Sequence, residues 1–181
     1  MSYKTLLDSK EIDIILHRLA CQLIENHDDF LETVLVGIQP RGTYVLDRLQ
    51  AILEKENNVS QLNTGRLDIT FYRDDFRRRD EPLQANTTSI ETILENKRVV
   101  LIDDVLYTGR SIRAALTAIE SYGRPADIEL LVLIDRRFSR NLPIQPTYLG
   151  KQVDAVNNEK VLVQWHEDKS KNSIKLIQKN N

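Results

Sequence analysis

Two adjacent carboxylates, Asp103 and Asp104, close the apolar run Val99-Val100-Leu101-Ile102, and after Val105-Leu106-Tyr107 the chain reads Thr108-Gly109-Arg110-Ser111. The two halves of this run suit opposite tasks. Backbone N–H groups in a loop that opens a helix have no partner within it, and the helix dipole adds positive charge there, so a phosphate dianion is well received. Thr108 and Ser111 can add hydroxyl donors, and Gly109 permits the positive φ or the close approach that a tight anion-binding turn needs. Carboxylates would repel a phosphate; Asp103 and Asp104 suit vicinal hydroxyls instead, as acceptors, or a hydrated Mg2+. Residues 99–111 can therefore hold both ends of a ribose 5-phosphate.

Such a loop needs a strand before it and a helix after it, and the rest of the chain supplies the same alternation. Asp8 and Glu11 form a capping box ahead of Ile12, Ile15, Leu16, Leu19, Leu23 and Ile24, which recur at helical spacing. A buried strand is expected at residues 34–38, a second helix carrying Tyr44, Val45, Leu49, Ile52 and Leu53, and, after a polar connection to about Gly65, an alternating strand at residues 67–72. The central strand is expected to end at Asp104. Its helix bears Ile112, Ala115, Leu116 and Ile119 and stops at Tyr122-Gly123-Arg124-Pro125, and residues 128–134 form another continuous apolar strand. Apolar strands alternating with helices predict an α/β fold with a parallel central sheet flanked by helices on both faces. The polar residues 169–181 are expected either to fray or to pair as a last strand.

The 181 residues fit one domain, 1–181, and a formal net charge of −2 gives the whole molecule no polybasic character. With one cysteine, no long apolar stretch and no signal-peptide pattern, a cytoplasmic protein without a membrane segment is expected. His17, His27 and His166 lack metal-ligand spacing and are expected at the surface or partly buried. Cys21 continues the apolar face of the first helix, which predicts packing, and Trp165, ending the alternating Val161-Leu162-Val163, is expected in the core or a subunit contact.

In parallel sheets ligands gather beyond the carboxyl ends of the strands, and two more unusual segments stand there. Arg41 in Gln39-Pro40-Arg41-Gly42 offers a forked donor for pyrophosphate oxygens, and Gly42 lets the following helix turn its amides to the same anion; without that anion the segment reads equally as an ordinary turn. The charge-dense residues 72–82 read as a solvated loop, and Arg73 within them could close over a polyanion.

The run at residues 99–111 resembles the phosphoribosyl pyrophosphate (PRPP) signature of type I phosphoribosyltransferases. Together with Leu67-Asp68-Ile69-Thr70-Phe71-Tyr72-Arg73-Asp74-Asp75, Asp135-Arg136 and Leu142-Pro143-Ile144, it makes the chain similar to PyrR-type pyrimidine operon attenuators and uracil phosphoribosyltransferases. The resemblance implies the type I fold with a small hood, the substrates PRPP and uracil, the product UMP, and Mg2+ bound with PRPP near Asp103 and Asp104. It implies that Asp103, Asp104, Val105, Leu106, Tyr107, Thr108, Gly109, Arg110 and Ser111 bind ribose and phosphate. Gln39, Pro40, Arg41 and Gly42 become a pyrophosphate loop with a strained or cis peptide; Tyr72, Arg73, Asp74 and Asp75 a lid; Ile134, Asp135 and Arg136 the base pocket. Arg41, Arg73, Asp103 and Asp104 are the expected catalytic residues, and replacing Arg41 by Ala is expected to depress turnover far more than folding. A homodimer or larger homo-oligomer is implied as well.

Tyr107 stands where purine-using relatives carry an acid, and a phenol is a poor base at neutral pH, which tilts the acceptor toward a pyrimidine. The alternatives are a UMP- or UTP-responsive RNA-binding attenuator with the same fold, or a transferase for another nucleobase. Against RNA, the first-helix surface of Asp13, Ile14, His17, Arg18, Cys21 and Asn26 keeps one arginine but otherwise loses positive charge. Arg136, Arg137 and Arg140 around Phe138 and Ser139 are expected to pair with acidic neighbours or meet the nucleotide.

Overall fold

The computed structural model describes residues 3–56, 59, 61–74, 86–156 and 158–178. Its main sheet is built from β2 (Thr33–Ile38), β3 (Asn63–Leu67), β4 (Ser89–Ile90), β5 (Arg98–Leu106), β6 (Asp127–Arg136) and β7 (Tyr148–Val153), in the order β4-β3-β2-β5-β6-β7. All neighbours are parallel except the short edge strand β4. Because successive strand residues point to opposite faces, Val100, Ile102, Leu131 and Leu133 bury against α1 (Ser9–His27) and α2 (Gly42–Lys55), while Val99, Leu101 and Val132 bury against α3 (Arg110–Ile119). The capping box that opens α1 is made in both directions, Asp8 N–H to Glu11 and Glu11 N–H to Asp8, each at 2.9 Å.

Both ends of the chain build a separate antiparallel sheet in the order β1-β9-β8, from β1 (Tyr3–Leu7), β8 (Glu159–Gln164) and β9 (Ser173–Gln178). Leu7, Val161, Val163 and Ile174 join it to the core beneath α1 and α2. This is the small hood that the resemblance implied, and the polar last segment pairs rather than frays.

Four sequence expectations are corrected. The strand expected at residues 67–72 ends at Leu67, and Thr70–Tyr72 is a 3-10 turn. Asp68 takes the backbone N–H of Thr70 and of Asn86, both at 2.6 Å, and this local bonding wins over a ladder. Burial works to raise the Asp68 pKa, but these N–H donors outweigh it and hold the carboxyl below its ordinary value. The central strand passes Asp104 and runs to Leu106, because Val105 and Leu106 still pair with Ile134 and Asp135. Cys21 is exposed, lying off the apolar face of α1.

The fourth correction is His27, expected at the surface or partly buried and found buried. Its Nδ1 lies 3.0 Å from Thr33 Oγ1, and its Nε2 lies 3.0 Å from the Tyr148 hydroxyl and 2.9 Å from Glu129 Oε2. Burial holds the imidazole below its ordinary value of 6.5, with the Glu129 charge pulling the other way. The unfolded chain therefore takes up the proton first. The contribution is complete above about pH 6.5 and is lost as pH falls through the lower folded value. Thermal melts from pH 7 to pH 5 are expected to fall less steeply for His27→Gln than for the natural chain.

Candidate active site

The carboxyl ends of β2, β5 and β6 bring most of the sequence-predicted residues together. Asp103 and Asp104 are both buried at the end of β5. Burial, followed by the neighbouring Asp104 charge, pushes the Asp103 carboxyl well above the usual range, although its Oδ1 accepts the Asp104 N–H at 2.8 Å. Burial also raises Asp104, less far, because the Arg41 guanidinium opposes it. Arg41 Nε lies 2.7 Å from Asp104 Oδ2, an ion-pair contact rather than an aligned hydrogen bond. The acidic pair is thus electrically unequal: Arg41 sits on one carboxylate and not on the other.

Beyond the pair, residues Val105, Leu106 and Tyr107 carry the chain to Thr108, and Gly109 takes a φ of 89° as the N-cap of α3. A side chain rarely adopts that conformation, so the expected positive φ is present. A cavity of about 300 Å3 lies over this turn, lined by Arg73, Asp74, Asp103, Thr108, Arg110 and Ser111 among others. The amides at the start of α3, the hydroxyls of Thr108 and Ser111 and one buried carboxyl therefore share one concavity.

Across from it, the Gln39–Pro40 peptide is cis, and Arg41 caps α2. Arg41 Nη2 donates to the Val163 carbonyl of β8 at 2.9 Å, so this side chain joins the acidic pair to the hood. Val163 contributes backbone only, so no side-chain pattern could have marked it. A Cβ on Gly42 would stand 2.2 Å from the Ile102 carbonyl oxygen, which explains how closely α2 approaches β5. Gly42→Ala must push these two elements apart. It is expected to cost about 2 kcal/mol, a fall in melting temperature of roughly 4–8 °C that thermal denaturation would read.

Of the expected lid, Asp74 is tied down: its Oδ2 accepts from Arg110 Nη1 at 2.6 Å and Arg113 Nη2 at 2.8 Å. Tyr72 OH stands 3.5 Å from Ser121 Oγ, and Arg73 lines the cavity beside Asp74. Asp75 and the segment that follows it lie outside the described residues.

The expected base-pocket residues part company. Ile134 is fully buried in the core, whereas Asp135 faces a second cavity of about 410 Å3 beside Arg137, Arg140, Leu142 and Gln152. Arg136 is buried and lies 4.1 Å over the ring of Tyr107, with Nη2 donating to the Val156 carbonyl at 3.3 Å. Arg140 pairs with Asp135 and also donates to the Tyr107 carbonyl at 2.7 Å. The sequence led to the expectation of an acidic partner for Arg140, which Asp135 supplies; the Tyr107 carbonyl, 33 residues away, left no periodic signal.

Arg18 donates to the carbonyls of Leu149 and Gly150, at 3.1 and 2.6 Å, and Arg137 lies 2.8 Å from Asp154. The expected pairing with acidic neighbours is therefore present at Arg137 and Arg140, whereas Arg136 meets the Val156 carbonyl and the Tyr107 ring. Another groove of about 400 Å3, lined by His17, Arg48 and Lys169 among others, contains none of the residues at the ends of β2, β5 and β6. Among the described residues no group of three or more His, Cys, Asp or Glu side chains could hold a metal, and no helix is long and apolar enough to cross a membrane.

The model of the phosphoribosyl transferase domain matches residues 2–168. A protein of Clostridium novyi named Bifunctional protein PyrR is 40% identical over 180 residues, covering 99% of this chain and 100% of that protein. A Synechocystis sp. protein of the same name is 42% identical over 172 residues, 95% of each chain. Among solved structures, a hypoxanthine phosphoribosyltransferase of Trypanosoma cruzi superposes with a TM-score of 0.71 at 15% identity, covering 98% of this chain and 97% of that one. A hypoxanthine phosphoribosyltransferase of Staphylococcus aureus gives 0.64 at 22% identity, with 84% and 80% covered. At those identities the solved structures bear on the fold alone.

Proposed function

The chain belongs to the phosphoribosyl transferase family and, within it, to the PyrR proteins; from that premise we propose that it transfers the phosphoribosyl group of PRPP to uracil, giving UMP and pyrophosphate. The observation that carries this reading is the placement of a buried acidic pair and a helix-opening loop on β5 opposite Arg41 of the neighbouring strand end. In the reaction the bond from ribose C1 to the pyrophosphate oxygen breaks, a bond from C1 to uracil N1 forms, and the N1 proton is released to solvent or to a pyrophosphate oxygen. Amides and hydroxyls at Thr108, Gly109, Arg110 and Ser111 hold the 5'-phosphate, and Asp103 and Asp104 receive the ribose hydroxyls. Arg41 turns its charge to the departing pyrophosphate, and Arg73 stands at the cavity edge to cover it.

Two carboxylates without a third protein ligand suit a Mg2+ that keeps waters and substrate oxygens, so Asp103 and Asp104 would hold it with PRPP; it supplies neutralising charge for the leaving group. Tyr107 supports a pyrimidine acceptor, because the position offers a phenol rather than a carboxylate to the incoming base. Assay of the purified protein with labelled PRPP and uracil, xanthine, guanine, hypoxanthine or orotate is expected to yield product with uracil. Efficient conversion of hypoxanthine or guanine would sink the assignment.

The relatives are named bifunctional, and that favours a second role, for which RNA binding responsive to UMP or UTP is the alternative. Arg18 and Arg137 are occupied within the chain, so weak, salt-sensitive retention of a pyrimidine-operon leader transcript is expected. Tight sequence-specific retention would reverse that ranking.

A further inference from the structure

We propose that Arg140 is a positioning residue for the ribose-phosphate loop, locking it to the Asp135 end of β6. The proposal rests on the transferase reading given above. The two arms of one guanidinium divide between two segments: Nη1 donates to the Tyr107 carbonyl at 2.7 Å, and Nη2 pairs with Asp135 Oδ1. Tyr107 stands between Asp104 and Thr108, directly before the latter, so its carbonyl governs how far the acidic pair stands from the phosphate-binding amides.

The contact does not stand alone. Asn141 N–H donates to the Thr108 carbonyl at 3.0 Å, and Ile144 and Leu142 lie 3.2 and 3.4 Å from the space a Cβ on Gly109 would fill. Arg136 covers the Tyr107 ring at 4.1 Å. The segment after β6 thus grips three successive residues of the loop: two backbone carbonyls and one glycine.

Two properties make Arg140 more than a surface ion pair. Its side chain is 19% exposed and that of Asp135 7%, so the pair is poorly screened by solvent. Among the described residues, removing Arg140 leaves the Asp135 carboxylate with Gln152 Nε2, 3.5 Å away, as its side-chain partner. The second property is the fork itself: a planar guanidinium can serve a carboxylate and a carbonyl at once, whereas a lysine ammonium on its flexible stem satisfies one at the expense of the other. A loop fixed before the ligand arrives spends less of its binding energy on ordering.

The test compares Arg140→Lys and Arg140→Ala with the natural chain, using ribose 5-phosphate in calorimetry and PRPP with uracil in steady-state kinetics. Arg140→Lys keeps a cation beside Asp135 and gives up the carbonyl, so its melting temperature is expected to stay close to that of the natural chain. Its affinity for ribose 5-phosphate is expected to fall about tenfold, and KM for PRPP to rise by a similar factor, while kcat changes less than about threefold. Arg140→Ala is expected to lose melting temperature as well.

Natural affinity and KM in Arg140→Lys would overturn the proposal. So would a loss of kcat at unchanged KM, or unfolding of Arg140→Lys at the assay temperature, which would assign Arg140 to the fold alone. If the natural chain makes no UMP but binds ribose 5-phosphate, the transferase reading fails while the calorimetric comparison still decides the role of Arg140.

Discussion

Asp103→Asn is expected to stabilise the protein at pH 8 while lowering turnover by at least about a hundredfold. The stabilising effect follows from where Asp103 sits. Its carboxyl is buried beside a second carboxylate, and burial followed by the Asp104 charge raises its pKa well above the ordinary 3.8. A raised carboxyl favours the fold only while protonated: its contribution is full below about pH 3.8 and is lost as pH rises through the folded value. Above that pH the unfolded carboxyl ionises freely while the fold resists the charge, a penalty that asparagine removes while its Oδ1 still accepts the Asp104 N–H.

The expected gain is about 1–3 kcal/mol, or roughly 3–10 °C in melting temperature at pH 8, shrinking toward zero as the pH approaches 4. Thermal melts across that range, with turnover measured beside them, would check both halves. A variant less stable than the natural chain at pH 8 would refute the claim that Asp103 is held against the preference of the fold. Such an opposition between stability and activity is expected of a group kept for chemistry rather than for packing.

That inequality between Asp103 and Asp104 was not legible in the sequence, where the two stand as equivalent neighbours. What the chain does spell out is whatever depends on local pattern. The capping box at Asp8 and Glu11, the apolar run that becomes β5 and the glycine at the start of α3 each follow from spacing within a few residues. The hood came from the resemblance and not from pattern, because β1 pairs with β9 across almost the whole length of the chain, and five residues with polar neighbours carry no periodic mark of that partner. Residues 67–72 misled for the opposite reason. Their alternation is genuine, but Asp68 bonds locally to Thr70 and reaches Asn86, and side-chain bonding overrode the pattern. The bond from Arg140 to the Tyr107 carbonyl and that from Arg41 to the Val163 carbonyl were unreadable because each joins groups far apart in sequence through a backbone acceptor.

Arg41 shows how much such a distant contact changes an expected result. Read as a pyrophosphate donor, Arg41→Ala should depress turnover far more than it disturbs folding. The structure adds two structural tasks: Arg41 lies 2.7 Å from the buried Asp104 and donates to the Val163 carbonyl of the hood at 2.9 Å. Truncation therefore removes a donor for the leaving group, strands a carboxylate and unties β8 from the strand ends. Turnover over KM is expected to fall about 10²- to 10³-fold, the scale seen when one preorganised donor is lost. Stability is expected to fall by about 1 kcal/mol, roughly 2–4 °C, because the guanidinium is 40% exposed and its pair partly screened.

A double variant separates the two effects. In Arg41→Ala with Asp104→Asn the stranded charge is gone, so much of the lost melting temperature is expected to return while turnover stays low, a coupling that a mutant cycle would measure. If Asp104→Asn lowers stability equally with and without Arg41, the two side chains are not coupled, and the fall in Arg41→Ala belongs to the hood contact. If Arg41→Ala keeps full turnover, the leaving group is neutralised elsewhere, and the site at the end of β2 loses its assigned role.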